Sequence, residues 1–465
     1  MLNLKKKNLK SDSGGRLLSF KKYKEPHKKR KMIYFLSTLM ILSLGIFIFY
    51  KSYAFYEEKK DFNVINGTVE DSGDSFFAYY VNNTITREFP TKDSGLTLDT
   101  TKSSCTSGVT ISWDDEKWQA NLNYSNYQKN STTRTKCTLY FTKKKVLLNN
   151  YIRNLVKDAN SSSNDVYTVP NKTSDSCTYT FAYDGTSDNN LRYVGKNPCN
   201  YVTFNGETAG WRIIGILNTP EGQRMKLIRT DSLGIYSWDN KASGTESSTS
   251  EYGSNDWTDS ALKEVLNNGA YYNKTSGICP SGRNGATTSC DFTSNGLTEA
   301  AKNQIDTITW KLGGTASYKS SSDGLVSHFY NYERGTTVYT GRPTEWPGKV
   351  GLMYPSDYGY ATSGGSTSNR TSCLNKELYN WADAIDCTDN DWLYDSSNKQ
   401  WTLAPETSFS DSVFYVEYTG YVVVSGGGPN GYANSHYAVR PSVYLIPSTS
   451  ILGGEGTLEN PYEIG

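Results

Sequence analysis

Two segments near the C-terminus carry the residue types best suited to chemistry at a surface. Phe414-Tyr-Val-Glu-Tyr-Thr-Gly-Tyr421 and Gly426-Gly-Gly-Pro-Asn-Gly-Tyr-Ala-Asn-Ser-His-Tyr437 mix Tyr with Gly, Asn, Ser and His. That mixture is the palette of adaptable binding surfaces. Tyr offers a large contact area with a polar tip, and its face stacks on sugars or peptides. The chemistry expected is recognition without covalent turnover, by Trp401, Tyr415, Glu417, Thr419, Tyr421, Asn430, Tyr432, Asn434, Ser435, His436 and Tyr437. If 414–421 alternates as a strand, Tyr415, Glu417, Thr419 and Tyr421 share one side. Phe414, Val416 and Tyr418 then share the other, so part of the Tyr content is ordinary packing.

Other constellations are weaker. A nucleophilic Ser needs a base and an orienting group. His328 and His436 are the candidate bases, Ser435 adjoins His436, and no Gly-x-Ser-x-Gly elbow occurs. Asp383, Asp386, Asp389, Asp391 and Asp395 cluster between Trp381 and Trp401. Paired carboxylates hydrolyse glycosides, and hard oxygen ligands suit Ca2+. The cluster lacks an EF-hand spacing, and the favoured reading is a polar loop of turns and caps. Arg440, between Val439 and Pro441, is expected to be an internal ion-pair partner that holds the closing strand.

Eight Cys (Cys105, Cys137, Cys177, Cys199, Cys279, Cys290, Cys373 and Cys387) contain no Cys-x-x-Cys. An even number without metal spacing suggests disulfides in an oxidising space. Pairing of sequential neighbours is the simplest connectivity, although the sequence alone leaves it open.

Positioning these groups falls to a chain of 465 residues, enough for several domains. Its 48 Lys plus Arg nearly balance 47 Asp plus Glu, but 12 of the basic residues lie in 1–31. The remaining body is acidic, which argues against nucleic acid as a partner. With 36 Tyr and 13% aromatic residues, the body is too aromatic for a disordered chain. Met32 to Tyr50 is an uncharged run of 19 residues. As a helix it spans roughly 29 Å, about one hydrocarbon core. Lys28, Lys29, Arg30 and Lys31 precede it, so the expectation is a single-pass signal anchor in a bacterial cytoplasmic membrane, with the bulk outside the cell.

The expected order is a basic tail (1–31), the anchor (32–50), a stalk with first strands (52–85), a small β-module (86–145), a helical linker (146–168) and a main domain (169–465). In the module, 108–113, 118–124 and 137–141 alternate as strands, and a bond from Cys105 to Cys137 closes it. In the main domain, 201–204 and 211–217 suggest strands around a turn at Asn205-Gly206, and 225–229 a further strand. Helical spacing occurs at 257–266, with Thr258 or Asp259 as N-cap, and at 297–310. Strands at 420–424 and 438–445 close the chain. The fold class expected is α+β, dominated by β.

Several ordered blocks carry a resemblance. Tyr201-Val-Thr-Phe-Asn-Gly206, Trp211-Arg-Ile-Ile-Gly215, Ile228-Arg-Thr-Asp-Ser-Leu-Gly234, Gly351-Leu-Met-Tyr-Pro-Ser-Asp-Tyr-Gly-Tyr-Ala361, Trp401-Thr-Leu-Ala-Pro405 and Ala438-Val-Arg-Pro441 resemble a large family of uncharacterised bacterial surface proteins over about 190–465. The Val-Arg-Pro close followed by a strand is similar to that of C-type-lectin-like domains related to formylglycine-generating enzyme. The resemblance implies a Trp-rich core under a loop-rich face, with the last strand near the first. It does not imply the oxidase activity, because no Cys follows Cys387. The Tyr-rich segment is also similar in position and palette to the retroelement-diversified face of some lectin-like proteins.

Taken together, these features point to a C-type-lectin-like, adhesin-like surface protein that binds a glycan or a protein and catalyses no reaction. The alternatives are a cell-wall polysaccharide hydrolase that uses the Asp cluster and a surface assembly or spacer protein that binds no ligand.

Overall fold

The computed structural model describes residues 76–465 apart from 87, 107, 127–134, 162–164, 171, 173–175, 242–251 and 425–431. The chain divides into two compact units, one ending at Lys144 and one beginning at Lys145.

The first unit contains β1 (Phe76–Val81), β2 (Thr84–Thr86), β3 (Leu96–Leu98), β4 (Ser104–Cys105), β5 (Thr110–Asp114), β6 (Gln119–Asn123) and β7 (Lys136–Lys143). β7 is the organising strand, with β1 parallel to it and β3 and β4 antiparallel. Its period-two pattern buries Cys137, Leu139 and Phe141 and exposes both terminal lysines. The β5–β6 hairpin sets Trp113 5.8 Å and Trp118 6.3 Å from the Phe141 ring. Both indole N–H groups are satisfied, by Asp115 Oδ1 at 2.6 Å and the Pro90 carbonyl at 2.7 Å. The boundary expected at 85/86 is corrected: β1 and β2 belong to this sheet, because Phe77 and Tyr79 pack on the Leu139–Phe141 core.

The second unit opens with β8 (Val146–Leu147), α1 (Leu148–Lys157), β9 (Asn160–Ser161), β10 (Val166–Thr168), β11 (Thr180–Tyr183), β12 (Leu191–Tyr193), β13 (Tyr201–Phe204), β14 (Glu207–Thr219), β15 (Gly222–Arg229) and β16 (Ile235–Tyr236). Then follow α2 (Ala261–Asn267), α3 (Ala270–Asn273), β17 (Ser276–Pro280), β18 (Thr287–Asp291), α4 (Glu299–Gln304), β19 (Ile308–Lys311), α5 (Val326–Arg334), β20 (Glu345–Gly348), β21 (Val350–Gly351), α6 (Pro355–Tyr360), α7 (Arg370–Leu374) and α8 (Ile385–Asp389). It closes with β22 (Gln400–Pro405), β23 (Val413–Val416), β24 (Val422–Val423), β25 (Tyr437–Ala438), β26 (Ser442–Tyr444), β27 (Ser450–Gly453) and β28 (Tyr462–Ile464).

β14 is the spine of the large sheet. It turns back from β13 at Asn205 (φ 60°) and Gly206 (φ 76°), a hairpin that needs left-handed residues. It then pairs with β15 on one side and β12 on the other. At Gly215 an added Cβ would lie 2.2 Å from the Leu191 carbonyl, so only glycine admits β12 there. A second sheet runs β16-β25-β22-β23-β24. The architecture is α+β and dominated by β, with four disulfides: 105–137, 177–199, 279–290 and 373–387.

Three expectations change. The 146–168 segment is not a linker: Leu148, Ile152 and Val156, at i, i+4 and i+8, bury one face of α1 in the core, and β8 pairs with β27. Ile152→Ala is therefore expected to cost about 2–5 kcal/mol in urea unfolding, where an exposed linker helix would lose under about 0.5 kcal/mol. The 297–310 helix stops at Gln304, because Ile308-Thr-Trp-Lys311 buries alternate residues and pairs with β20. In the 257–266 stretch a 3-10 turn precedes α2, and the caps are Asp256 and Ser260.

The localisation expected from the sequence is also corrected. Among the described residues no helix is long and apolar enough to cross a membrane. The tail at 1–31, the run at 32–50 and the stalk up to 75 lie outside the described residues. The disulfides point to an oxidising compartment.

Charges are also built into the core of the second unit. Asp357 receives Lys226 Nζ at 2.6 Å and Arg192 Nη1 at 2.9 Å, and Arg192 Nε reaches Asp184 at 3.2 Å. The rings of Tyr354, Trp310 and Tyr444 surround the ammonium, with centroids at 4.5, 5.1 and 5.2 Å. Burial alone would raise the Asp357 pKa, but the two cations more than offset it and hold the group ionised.

Candidate recognition surface

The expected site residues separate into a buried layer and an exposed rim. β25 pairs with β16 and touches β22, which fixes the backbone on both sides of Tyr437. The rings of Trp401 and Tyr415 each lie 4.5 Å from the Tyr437 ring. Trp401 is 1%, Tyr415 4% and Tyr437 7% exposed, and Trp401 Nε1 donates to the Tyr236 carbonyl at 2.9 Å. These three aromatic residues are packing beneath the surface, which corrects their expected role as contact residues. Asn434 is buried as well: its N–H donates to the Tyr252 carbonyl at 3.0 Å, and its carbonyl accepts from Ser237 Oγ at 2.8 Å.

The alternation expected over 414–421 ends at Val416. Glu417 N–H donates to the Tyr421 carbonyl at 2.9 Å and Gly420 N–H to the Glu417 carbonyl at 2.8 Å, so 417–421 is a turn. Glu417 is buried, pairs with Lys399 Nζ at 2.9 Å and accepts from Thr419 N and Oγ1, both at 3.1 Å. Its carboxylate is committed to the turn, a second correction to the expected face. Thr419 is exposed, and the half-buried Tyr421 ring packs 6.1 Å from Tyr379.

The exposed rim has different members. The half-buried Tyr432 and Tyr252 rings meet at a tilt of 32° with centroids 4.4 Å apart, and the Arg283 guanidinium lies 4.8 Å from the Tyr252 ring. His436 is exposed, with Nε2 3.0 Å from Ser281 Oγ, and Ser435 is half-buried beside it. Asn430 lies outside the described residues. Tyr252, Ser281 and Arg283 escaped the sequence reading, since they join Tyr432 and His436 only through the tertiary fold. The one available signal was the turn at Ser281-Gly-Arg-Asn-Gly285, inside the hairpin that Cys279 and Cys290 close.

This rim is anchored from below. Asp239 N–H donates to the Ala433 carbonyl at 3.0 Å, and Ala433 N–H to the Asp411 carbonyl at 2.7 Å. The Asp239 carboxylate accepts from Ser254 N and Ala261 N, both at 2.8 Å. Burial pushes its pKa up to about 6, because these hydrogen bonds only partly compensate the desolvated charge. The folded pKa is then above the unfolded value of about 3.9. Its contribution to stability is full below pH ~4 and is lost as pH rises through about 6, roughly 2–3 kcal/mol. Urea unfolding from pH 4 to 7 is expected to show this decline, and Asp239→Asn to lack that component. A variant with the same slope as the parent would assign it to other groups.

The hydroxyl of Ser281 meets His436 Nε2 at 3.0 Å. Gly282 N–H, the nearest oxyanion donor in sequence, is bonded to Ser237 Oγ at 3.0 Å. The Asp cluster disperses. Asp386 accepts from Thr367 and Ser368, Asp395 accepts from Ser397 and Asn398, and Asp391 is buried with its pKa pushed well up. Among the described residues no group of three or more His, Cys, Asp or Glu could hold a metal ion.

Arg440 is buried near the closing strand, and among the described residues it makes no ion pair. Nε donates to the Arg229 carbonyl at 3.0 Å and Nη1 to Gln400 Oε1 at 2.9 Å. Desolvation against neutral acceptors lowers its pKa to about 10. Comparison with family models, curated proteins and solved structures finds no match to this chain.

Proposed function

We propose that this protein is an adhesin-like recognition module whose second unit binds a glycan or a protein ligand through the rim formed by Tyr252, Tyr432, Ser281, Arg283 and His436. The observation that carries this reading is the tilted Tyr252–Tyr432 ring pair, centroids 4.4 Å apart, beside the exposed His436–Ser281 hydrogen bond. Aromatic faces next to paired polar groups suit a ligand with both apolar faces and hydroxyl or amide edges. The anchoring bonds at 433, 434 and 239 hold the rim before a ligand arrives, which reduces the ordering cost of binding.

A C-type-lectin-like architecture is part of the proposal. Support comes from β8 lying beside β27, so that the opening strand of the unit neighbours its last but one, and from a buried core that includes Trp211, Trp238, Trp257, Trp310, Trp381 and Trp401. Membership in the bacterial surface family rests on the ordered sequence blocks described above.

The experiment is a screen of the purified full chain on a glycan array and a panel of extracellular matrix and surface proteins, with turnover of each hit followed in parallel. Saturable binding without turnover is the expected result. Conversion of a wall polysaccharide would favour the hydrolase, and self-association with no ligand the assembly protein.

A further inference from the structure

The second unit also contains an open cleft of about 370 Å3, lined by Asp184, Thr186, Ser187, Ser327, Asn331 and Asn375, with Val326, Tyr360 and Leu374 as its apolar part. Its size falls within the range of small-molecule sites, about 300–1,000 Å3. None of these residues belongs to the tyrosine rim. We propose that this cleft is a separate binding site for a neutral saccharide of about one ring.

The polar groups suit this class. Ser187, Ser327, Asn331 and Asn375 are exposed, and their side chains make no hydrogen bond within the described residues. Hydroxyls and amides each donate and accept, which matches sugar hydroxyls and selects no charge. Among the described residues no Lys, Arg or His lines the cleft, so no cationic side chain there pairs with a phosphate or carboxylate ligand. Its one carboxylate, Asp184, is already committed. Oδ1 accepts from Thr186 Oγ1 at 2.8 Å and Asn190 N at 3.0 Å, and Oδ2 from Asn190 Nδ2 at 2.8 Å and Arg192 Nε at 3.2 Å. Those bonds leave Asp184 as a brace that shapes the 184–190 loop.

The walls are fixed before any ligand binds. Asn331 lies on α5, whose Phe329 and Glu333 are buried, and the Glu333 carboxylate accepts from Ser356 N at 2.8 Å. Leu374 and Asn375 directly follow Cys373, which the bond to Cys387 pins. Rigid walls carrying uncommitted hydrogen-bonding groups form a preorganised site.

Saturation-transfer NMR on the full chain tests the proposal with glucose, galactose and N-acetylglucosamine, using inorganic phosphate and N-acetylneuraminic acid as anionic comparators. At least one neutral sugar is expected to bind with a millimolar Kd, weakened roughly tenfold or more by Ser327→Trp and by Asn375→Trp. Tyr252→Ala with Tyr432→Ala is expected to leave that signal unchanged, which separates this site from the tyrosine rim. Far-UV circular dichroism checks that each Trp variant is folded, and either one suffices. The proposal is overturned if no neutral sugar transfers saturation, if only the anions do, or if a folded cleft variant binds like the parent.

Discussion

Asp357→Ala is expected to destabilise the second unit by roughly 3–5 kcal/mol, because it leaves Lys226 fully buried with no counter-charge. Arg192 keeps Asp184 and loses one of its two carboxylates. The cost comes from the uncompensated ammonium, so removing both charges should recover most of it. Asp357→Leu with Lys226→Met is expected to unfold at a denaturant concentration close to that of the parent, while each single change unfolds far earlier. A double variant as unstable as Asp357→Ala would show that the pair itself, and not the orphaned partner, supplies the stability.

The disulfide of the first unit gives the second large effect. Cys105 and Cys137 close a separation of 32 residues around a small core, whose main aromatic cluster buries Leu98, Leu139 and Phe141 among the described residues. A core that small supplies little stability without a cross-link. Replacing both cysteines with Ser is expected to cost about 2–5 kcal/mol and to unfold the first unit at 37 °C. The loss should appear as selective hydrogen exchange over 76–144, with protection of the second unit retained. Protection unchanged across 76–144 would mean that the aromatic packing of Trp113 and Trp118 is sufficient alone.

Local patterns in the sequence revealed elements whose neighbours only reinforce them. β7 alternates cleanly, Asn205-Gly206 demands a left-handed turn, and each cysteine pairs with its nearest sequence neighbour. Stretches whose role depends on distant partners read poorly. The helical spacing of 148–156 was visible, but its burial depends on β27 and β28, some three hundred residues away. The candidate site failed in the same way. Trp401, Tyr415 and Tyr437 have the composition of a contact surface, and only the stacking of β22, β23 and β25 shows that they pack on each other. Tyr252 comes from one loop and Ser281 and Arg283 from another, and none carries a periodic signal. Arg440 was expected to pair with a carboxylate, since a buried guanidinium usually does. Gln400 and the Arg229 carbonyl replace it through strand neighbours that the sequence does not display.

Recognition by the tyrosine rim is most directly measured as equilibrium affinity for a ligand found by the array, compared among the parent, the Tyr252→Ala/Tyr432→Ala variant and Lys399→Ala. The rim variant is expected to bind at least roughly tenfold more weakly, about 1.4 kcal/mol, with unfolding midpoints close to the parent's. Lys399→Ala, which loses the pair with Glu417 and the contacts with Tyr415, Tyr418 and Tyr437, is expected to bind within about threefold of the parent. Unchanged affinity in a folded rim variant would contradict the assignment and place the binding surface elsewhere on the molecule.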